Sequence, residues 1–555
     1  MQVRSVAVQR WKFLAGATVI VLVAFLARIY RIGEQELWYD EAQSFYIISW
    51  SKWPGTLLSN DTPPMYYFLL LGWVKVFGYS ETALRMLSAS FGTLFVVALI
   101  WVGCELFNPR VGLCSAMFVA VSPFHIYYSQ EARSYALLIL ALLLTYGALW
   151  RALAANLWRW WGLFCAGVVA SSYTHYFATL GLIPTVFLLL LWPEREQAKQ
   201  KTVRYVLAMS LSGLLILPWF LWSVVFTSHP LVGTDFIQSL WNNTPPLLAI
   251  PRSLELFGLG SQAGIVATIN AKRFGALMFP AWLHFWGIAV LLLLGIWVAV
   301  SRGEEELSIP WLGRRKTWLW TVLFFPLVCL WLISFFIKPF YAVGRYEIVA
   351  FPAYSLLLGL SLAKVKSLKK VGKPLAFLVF LILFIPIGSK LYLYYRAPSS
   401  TWASSTAKAI HTMVRNGDVV VFTGEALPVF YYLSRLGYEW RDGECVNGSA
   451  ARRFSCRMFP REGEQNPSPY NPTRVLNSME AVRDDLKEFL RLLHPETNDL
   501  WIVFTDSSLS EHRLKLPKPD SFLAKELLRL GRKPVPMLVE VAPGVFTFQG
   551  VFLFK

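Results

Sequence analysis

Charge is scarce in this sequence. Only 15% of its 555 residues are charged, against about 25% in ordinary soluble domains, and 55% are hydrophobic. Six cysteines are too few for a scaffold built on disulfides. These shortages, with a mean hydropathy of +0.47, exclude a disordered chain, a collagen-like chain and an ordinary soluble protein. They predict a polytopic membrane protein.

Several common catalytic motifs are also missing. We find no P-loop, no glycine fingerprint of a dinucleotide-binding fold, no nucleophile elbow and no HExxH zinc motif. Acidic residues are few, so that 52 Lys and Arg against 34 Asp and Glu leave a net charge of +18. In a membrane protein this excess belongs in cytoplasmic loops, so we expect no nucleic-acid partner.

Long apolar runs dominate the first 395 residues. A spanning helix needs about 20 apolar residues. Eleven windows satisfy this criterion: 13–30, 84–106, 111–128, 135–150, 160–174, 176–192, 205–223, 281–300, 317–337, 346–363 and 374–394. The first window follows three basic residues and precedes no small-residue cleavage site, so we interpret it as a retained signal anchor rather than a cleaved signal peptide.

Basic residues set the orientation of these spans. With the N-terminus inside, the inner connections hold 19 Lys and Arg in 68 residues and the outer ones 9 in 127, a density ratio of about four. Eleven spans then place the C-terminus outside. The aromatic run 63–78, in the first outer loop (31–83), is short, and we interpret it as an interfacial helix. Counting it as a span would put the Lys-rich segment 364–373 outside, against the charge bias.

Residues 396–555 have normal charge and form a predicted extracytoplasmic α/β domain, separate from the membrane domain 1–395. The runs 418–423 and 500–505 are typical of buried strands, and 478–493 has the apolar spacing of an amphipathic helix. Residues 442–475, rich in Gly, Pro, Ser and Asn, are predicted to be a loop. Its two cysteines, Cys445 and Cys456, either pair outside the cell or remain free.

Two polar motifs lie in the first outer loop. Asp40 and Glu41 follow two aromatic residues just beyond the first span, where burial under aromatic rings would suit a general base. The alternative is a pair of carboxylates that caps a short helix. The second motif runs from Asn60 through a Pro-Pro turn to Tyr67, and here the alternative is that Asp61 or Thr62 merely caps the next helix.

Two further motifs begin later spans on the same predicted side. Glu131 and Arg133 precede Tyr135 in a short turn, either as functional ionisable groups at membrane depth or as a mutual surface pair. Arg345 and Tyr346 begin a late span, where a guanidinium and a helix N-terminus together suit an anion; the alternative is snorkelling at the interface. We expect all four motifs to converge on one site that binds a lipid phosphate.

The four motifs together resemble the GT-C superfamily of membrane glycosyltransferases that use polyprenyl-phosphate sugars. The likeness extends over about residues 10–395 and is strongest to bacterial relatives of protein O-mannosyltransferases, aminoarabinose transferases and rhizobial galacturonosyltransferases. In these families an Asp-Glu motif, a Pro-Pro-x-Tyr-Tyr run, a Gln-Glu-Ala-Arg turn and a late Arg-Tyr follow in this order. One departure is Thr62, where such relatives commonly carry His or Lys before the two prolines.

The resemblance implies inverting transfer of a sugar from a polyprenyl-phosphate donor to a hydroxyl of a glycan, lipid or protein. It implies Asp40 as the base, assisted by Glu41. It assigns Arg345, Tyr346 and Arg133 to the donor phosphate. The residues expected to bind or orient substrate are Glu131, Asp61, Tyr66 and Tyr135.

A divalent metal is compatible with this reaction, but the sequence shows no ligand spacing for one. The scattered candidates are Asp40, Asp61, Glu131, His125, His175 and His229. Two other functions remain open: a transporter or lipid flippase, which usually carries ionisable groups near the bilayer midplane, and a non-catalytic membrane scaffold. We expect the inner or plasma membrane of a bacterium as the location, with membrane lipids around the spans.

Overall fold

The computed structural model describes the chain in segments: residues 2–49, 62–192, 198–225, 241, 245–260, 312–365, 372–396, 402–424, 427–441, 444–448, 452–459, 500–505, 534–536, 539–542, 545–547 and 551–554. Packing divides the chain into two compact units. The first unit comprises Met1–Ile32 and Trp50–Ala397, and the second comprises Gly33–Ser49 and Pro398–Lys555. The second unit therefore includes a short segment from the first predicted outer loop, whereas the sequence-based division at residue 395 assigned that loop to the membrane part.

Helices make up almost all of the described first unit, as the apolar runs predict. The described helices of the whole chain are α1 Gln2–Ile29, α2 Tyr39–Ser49, α3 Met65–Phe77, α4 Glu81–Leu106, α5 Pro109–Ala120, α6 Pro123–Ser129, α7 Tyr135–Ala155, α8 Trp158–Thr174, α9 Ala178–Leu182, α10 Thr185–Leu190, α11 Ala198–Val225, α12 Pro246–Leu259, α13 Leu312–Phe336, α14 Phe351–Val365, α15 Gly372–Arg396, α16 Trp402–Met413 and α17 Leu427–Arg435. A 3-10 turn, Tyr346–Ala350, leads into α14.

Six described helical segments are long and apolar enough to cross a membrane. They lie in α1, α4, α7, α11, α13 and the segment Tyr346–Lys364, and the bent pair α5–α6 makes a seventh if it is one span. The windows 160–174 and 374–394 are also helical, and the window 176–192 contains the two short helices α9 and α10. The window 281–300 lies outside the described residues, so the number eleven stays a prediction.

The bend between α5 and α6 follows from local sequence. The two helices meet at 68°. The side chain of Ser122 accepts a hydrogen bond from the backbone N–H of His125, and Pro123 occupies the first position of α6. A serine cap followed by proline is a strong helix start, so α5 cannot continue through this point.

Arg28, fully buried near the end of α1, stabilises this bend. Its guanidinium donates to the carbonyls of Val119 at 3.0 Å and Ala120 at 3.1 Å, and it contacts the His125 Nδ1 at 2.7 Å. The last carbonyls of a helix have no partner within the helix, and in an apolar environment each must find one. The negative end of the α5 dipole also compensates the buried cation.

The second unit contains a seven-stranded mixed sheet. Its strands are β1 Val419–Gly424, β2 Tyr438–Arg441, β3 Glu444–Asn447, β4 Arg452–Phe459, β5 Leu500–Thr505, β6 Pro534–Pro536 and β9 Val551–Phe554, in the order β2-β3-β4-β1-β5-β9-β6. A separate hairpin joins β7 Val539–Ala542 to β8 Val545–Thr547. The central strand β1 is parallel to both β4 and β5, as expected for an α/β unit.

Both strands predicted from sequence are present, as β1 and β5. The predicted loop 442–475 is wrong in part, because β3 and β4 occupy 444–447 and 452–459. The predicted helix 478–493 lies outside the described residues. Cys445, on β3, is disulfide-bonded, and Cys456 lies on the neighbouring strand β4.

The segment before α2 is anchored within the second unit. The Glu36 carboxylate accepts hydrogen bonds from the backbone N–H groups of Ala403 at 3.0 Å and Ser404 at 2.9 Å, and so caps the N-terminus of α16. The Phe45 ring meets the Tyr431 ring edge-on, with centroids 5.0 Å apart. These contacts place α2 against α17.

Candidate functional site

The turn that carries Glu131 and Arg133 connects α6 to α7. Gln130 holds it, because its Nε2 donates to the carbonyls of Arg28 and Tyr30, both at 2.9 Å, and its Oε1 accepts from the Tyr394 hydroxyl at 2.7 Å. One amide side chain therefore ties the turn to α1 and α15. Glu131 itself is buried, 4% exposed, and lies near Tyr128 and Tyr135.

Arg133 is half-buried and linked to the tyrosine pair of α3. Its guanidinium donates to the Tyr67 hydroxyl at 3.1 Å. The predicted Tyr66 is linked to Arg133 through Ser88: its hydroxyl hydrogen-bonds Ser88 at 2.9 Å, and the Ser88 hydroxyl donates to the Arg133 carbonyl at 3.2 Å. Both tyrosines belong to the predicted motif, and of the two the sequence predicts a substrate-binding role for Tyr66 alone.

The helix-cap alternative for this motif is wrong for Thr62. Helix α3 begins after Pro64, which is the N-cap and has no side-chain cap bond. Asp61 lies outside the described residues.

Arg345 follows a tight turn whose backbone is held from two sides. Gly344 adopts φ +85°, a left-handed conformation that favours glycine. Its carbonyl accepts a hydrogen bond from the Tyr128 hydroxyl. Its N–H donates to the Glu347 carboxylate, which also accepts from the Arg345 N–H at 3.1 Å.

The Glu347 carboxylate is completely buried, and it is not among the site residues that the sequence predicts. Besides the two backbone N–H groups it accepts a hydrogen bond at 2.6 Å from Ser253 of α12, whose hydroxyl also meets that of Tyr341 at 2.9 Å. Glu347 therefore connects the Arg345 turn to another helix.

Replacing this carboxylate should cost stability. In Glu347→Gln an amide NH₂ would face a backbone N–H, and each buried donor left unsatisfied costs about 1–3 kcal/mol. We expect a lower midpoint of thermal unfolding in detergent. Ser253→Ala, the matched comparison, removes the hydroxyl that bonds the Glu347 carboxylate and Tyr341 but leaves both backbone N–H donors paired, so its midpoint should fall less than that of Glu347→Gln. Equal midpoints for Glu347→Gln and the wild type would contradict this account of the turn.

The Arg345 side chain reaches the predicted residue Tyr135, 210 positions earlier in the chain. Its Nε donates to the Tyr135 hydroxyl at 3.0 Å. Its guanidinium carbon lies 5.8 Å from the centre of the Tyr346 ring. The structure thus brings three predicted residues, Arg345, Tyr346 and Tyr135, into one cluster.

His175, between α8 and α9, lies near both arginines. Burial lowers its pKa to about 3, and the charges of Arg133 and Arg345 contribute to this shift. The imidazole is therefore neutral at physiological pH. Its ring packs against those of Tyr135, at 5.8 Å between centroids, and Tyr346, at 6.0 Å.

This cluster is rich in hydrogen-bond donors. Two guanidiniums, the hydroxyls of Tyr135 and Tyr346 and a neutral imidazole lie beside the beginnings of two apolar helices, and both arginines are half-buried. Guanidinium groups match the geometry of phosphate and carboxylate oxygens. The arrangement is suited to hold an anionic group and to stabilise negative charge that develops on it.

Asp40 and Glu41 belong to the second unit, in the first turn of α2. Both are buried, 4% and 1% exposed. The Glu41 carboxylate accepts a hydrogen bond from the Trp38 N–H at 3.4 Å, and acidic residues suit this end of a helix dipole. The helix-capping interpretation therefore has support at Glu41. That the pair converges with Arg345 stays a prediction.

The scattered metal candidates do not form a ligand cluster within the described segments. No group of three or more His, Cys, Asp or Glu side chains is placed there to hold an ion. The Nδ1 of His125 contacts Arg28, and that of His175 accepts from the Phe177 N–H. His229, like Asp61, lies outside the described residues.

Comparison with known proteins bears on the family resemblance. Residues 61–222 match the family model for dolichyl-phosphate-mannose-protein mannosyltransferase, a stretch that includes the α3 tyrosines, the turn before α7 and His175. No curated protein sequence matches the chain.

Solved structures of the same fold include ArnT from Cupriavidus metallidurans. Its apo form has a TM-score of 0.55 at 12% identity, covering 99% of this chain and 98% of ArnT. Its complex with undecaprenyl phosphate has a TM-score of 0.54 at 12% identity, covering 98% and 97%. The apo oligosaccharyltransferase of Archaeoglobus fulgidus has a TM-score of 0.50 at 12% identity. The match covers 76% of this chain and 63% of the oligosaccharyltransferase, so this chain spans less than two thirds of that protein's length. The resemblance deduced from the motifs is therefore confirmed, and the chain has the fold of the GT-C membrane glycosyltransferases.

Proposed function

We propose that this chain is a membrane glycosyltransferase that moves a sugar from a polyprenyl-phosphate donor to an acceptor hydroxyl, with inversion at the anomeric carbon. The observation that carries the proposal is the cluster of Arg133, His175, Tyr135 and Arg345. It gathers two cations and neutral donors at the ends of apolar helices. A lipid phosphate has its charged group at that depth and its chain in the bilayer.

The leaving group of this reaction is a phosphate that gains negative charge as the glycosidic bond breaks. Preorganised cations aimed at developing charge lower such a barrier. We assign Arg345 as the principal phosphate ligand, with Tyr346 beside it and Arg133 as the second cation. Support comes from ArnT, a protein of the same fold whose crystal structure contains undecaprenyl phosphate.

The acceptor hydroxyl must lose a proton as it attacks. We assign this role to Asp40 and assign Glu41 to orient it; the buried position of both carboxylates supports the choice. Glu131, Asp61, Tyr66 and Tyr135 complete the set proposed to bind or orient substrate. The arginines supply positive charge to the phosphate, so the proposal assigns no metal ligand.

We further propose a location in a bacterial inner or plasma membrane, with the N-terminus in the cytoplasm and the second unit outside. The fourfold bias of Lys and Arg supports this orientation. So does the disulfide-bonded Cys445, because disulfides persist in oxidising compartments.

The test compares cells that have and lack the protein. Polyprenyl-phosphate sugars and envelope glycans, extracted and measured by mass spectrometry, should show one donor accumulating and one modified acceptor disappearing when the protein is absent. The mass of each would identify the sugar and the acceptor. Unchanged pools, together with substrate counterflow in proteoliposomes and no covalent product, would instead indicate a transporter.

A further inference from the structure

His175 has a defined tautomer. Its Nδ1 accepts a hydrogen bond from the backbone N–H of Phe177 at 3.2 Å. A neutral imidazole has one acceptor and one donor nitrogen, so the proton lies on Nε2. Among the residues that the structure describes, none accepts a hydrogen bond from this Nε2–H.

The ring is also fixed in orientation. It packs against Tyr135, Phe177 and Tyr346, with centroid distances of 5.8, 5.5 and 6.0 Å. Phe177 and Tyr346 stack on each other at 4.6 Å, so the ring is bordered by aromatic side chains from separate segments. A flip of the imidazole would leave the Phe177 N–H without its acceptor.

The groups around the His175 imidazole favour binding of an anion. They do not favour a metal ion, and they do not favour a general base that accepts a proton. The charged groups that act on the imidazole are the guanidiniums of Arg133 and Arg345, and both are positive. The hydroxyls of Tyr135 and Tyr346 are the other titratable groups packed against it. The neutral Nε2–H of His175, beside two guanidiniums, can donate one more hydrogen bond to an oxygen of the anion without adding positive charge.

We propose that His175 is a substrate-binding residue, which donates its Nε2–H to an oxygen of the phosphate group held by Arg133 and Arg345. This inference rests on the proposed function and adds a neutral ligand to it. It also separates His175 from the metal candidates, because Nε2 carries a proton and Nδ1 has a backbone partner.

The experiment measures binding of undecaprenyl phosphate to the purified full chain in nanodiscs. His175→Asn retains an acceptor for the Phe177 N–H but has no donor at the Nε2 position, whereas His175→Gln carries an amide N–H near that position. A hydrogen bond to a charged group corresponds to about a tenfold to hundredfold change in affinity. We expect that loss in His175→Asn, partial recovery in His175→Gln, and wild-type affinity in Tyr176→Phe, a neighbouring and exposed control.

A second measurement reports the tautomer directly. In ¹⁵N-histidine-labelled protein, the His175 signal is the one that His175→Asn lacks. This signal should show a protonated Nε2 and an unprotonated Nδ1. It should shift when undecaprenyl phosphate is added and show no protonation step between about pH 5 and 8. An Nδ1-protonated ring would overturn the inference.

The outcomes separate the two proposals. If His175→Asn binds undecaprenyl phosphate as well as the wild type, and Arg345→Ala does not, the inference about His175 is wrong and the proposed function stands. If the wild-type protein binds none, the proposed function fails and the inference fails with it.

Discussion

Asp40→Asn should abolish sugar transfer and leave a folded, membrane-inserted protein. An amide is nearly isosteric with the carboxylate but cannot take the proton of the acceptor hydroxyl, and positioned general bases contribute about 10²–10⁴-fold. The measurement is turnover of the donor identified by mass spectrometry, with expression and thermal unfolding in detergent measured in parallel.

Two variants control this result. Glu34→Gln removes an exposed carboxyl from the same segment and should retain wild-type turnover. Glu41→Gln keeps a side-chain oxygen that can accept a hydrogen bond from the Trp38 N–H. Its loss of turnover should therefore be smaller than that of Asp40→Asn. An Asp40→Asn protein with wild-type turnover would refute the assignment of the base.

Arg345→Ala should lower transfer by about 10²–10³-fold, the usual cost of removing one preorganised donor from a developing negative charge. It should also weaken binding of undecaprenyl phosphate. The reason is structural: the Tyr135 hydroxyl fixes the guanidinium, and the Gly344 turn fixes the backbone that carries it.

Arg345→Lys is the more informative variant. Lysine keeps the charge but lacks the Nε–H that bonds Tyr135 and the paired donors of a guanidinium. We expect at least a tenfold loss of transfer with the fold intact. Arg396→Ala, an exposed arginine at the end of α15, is the matched control and should have no effect. Full activity in Arg345→Lys would mean that charge alone suffices and that the Tyr135 contact is dispensable.

Some of the site could be predicted from sequence. The Arg-Tyr motif, the Glu-Ala-Arg turn and Tyr135 were identified because ionisable groups beside apolar runs are costly and therefore stand out. Tyr67 and Glu347 did not stand out. One was a second tyrosine in an already chosen motif, and the other is a single carboxylate inside a span window.

The second unit shows the same contrast. Strands β1 and β5 are apolar runs, and their own composition predicts them. Strands β3 and β4 lie in a polar stretch, and they form because they hydrogen-bond to neighbouring strands. In the antiparallel pair β3–β4, for example, Cys445 lies opposite Phe454. Strand preference depends on such context more than helix preference does.

The amino-acid order alone determined the apolar helices, the approximate position of the second unit and the list of polar motifs, because hydropathy and turn chemistry act over short stretches of chain. Only the tertiary structure decided that Arg345 contacts Tyr135, that Glu347 holds the Gly344 turn, and that α2 packs with the second unit. The first and third of these contacts join residues 210 or more positions apart, and Glu347 is itself held by Ser253, 94 positions earlier. The energy of these contacts depends on side chains that no local pattern brings together.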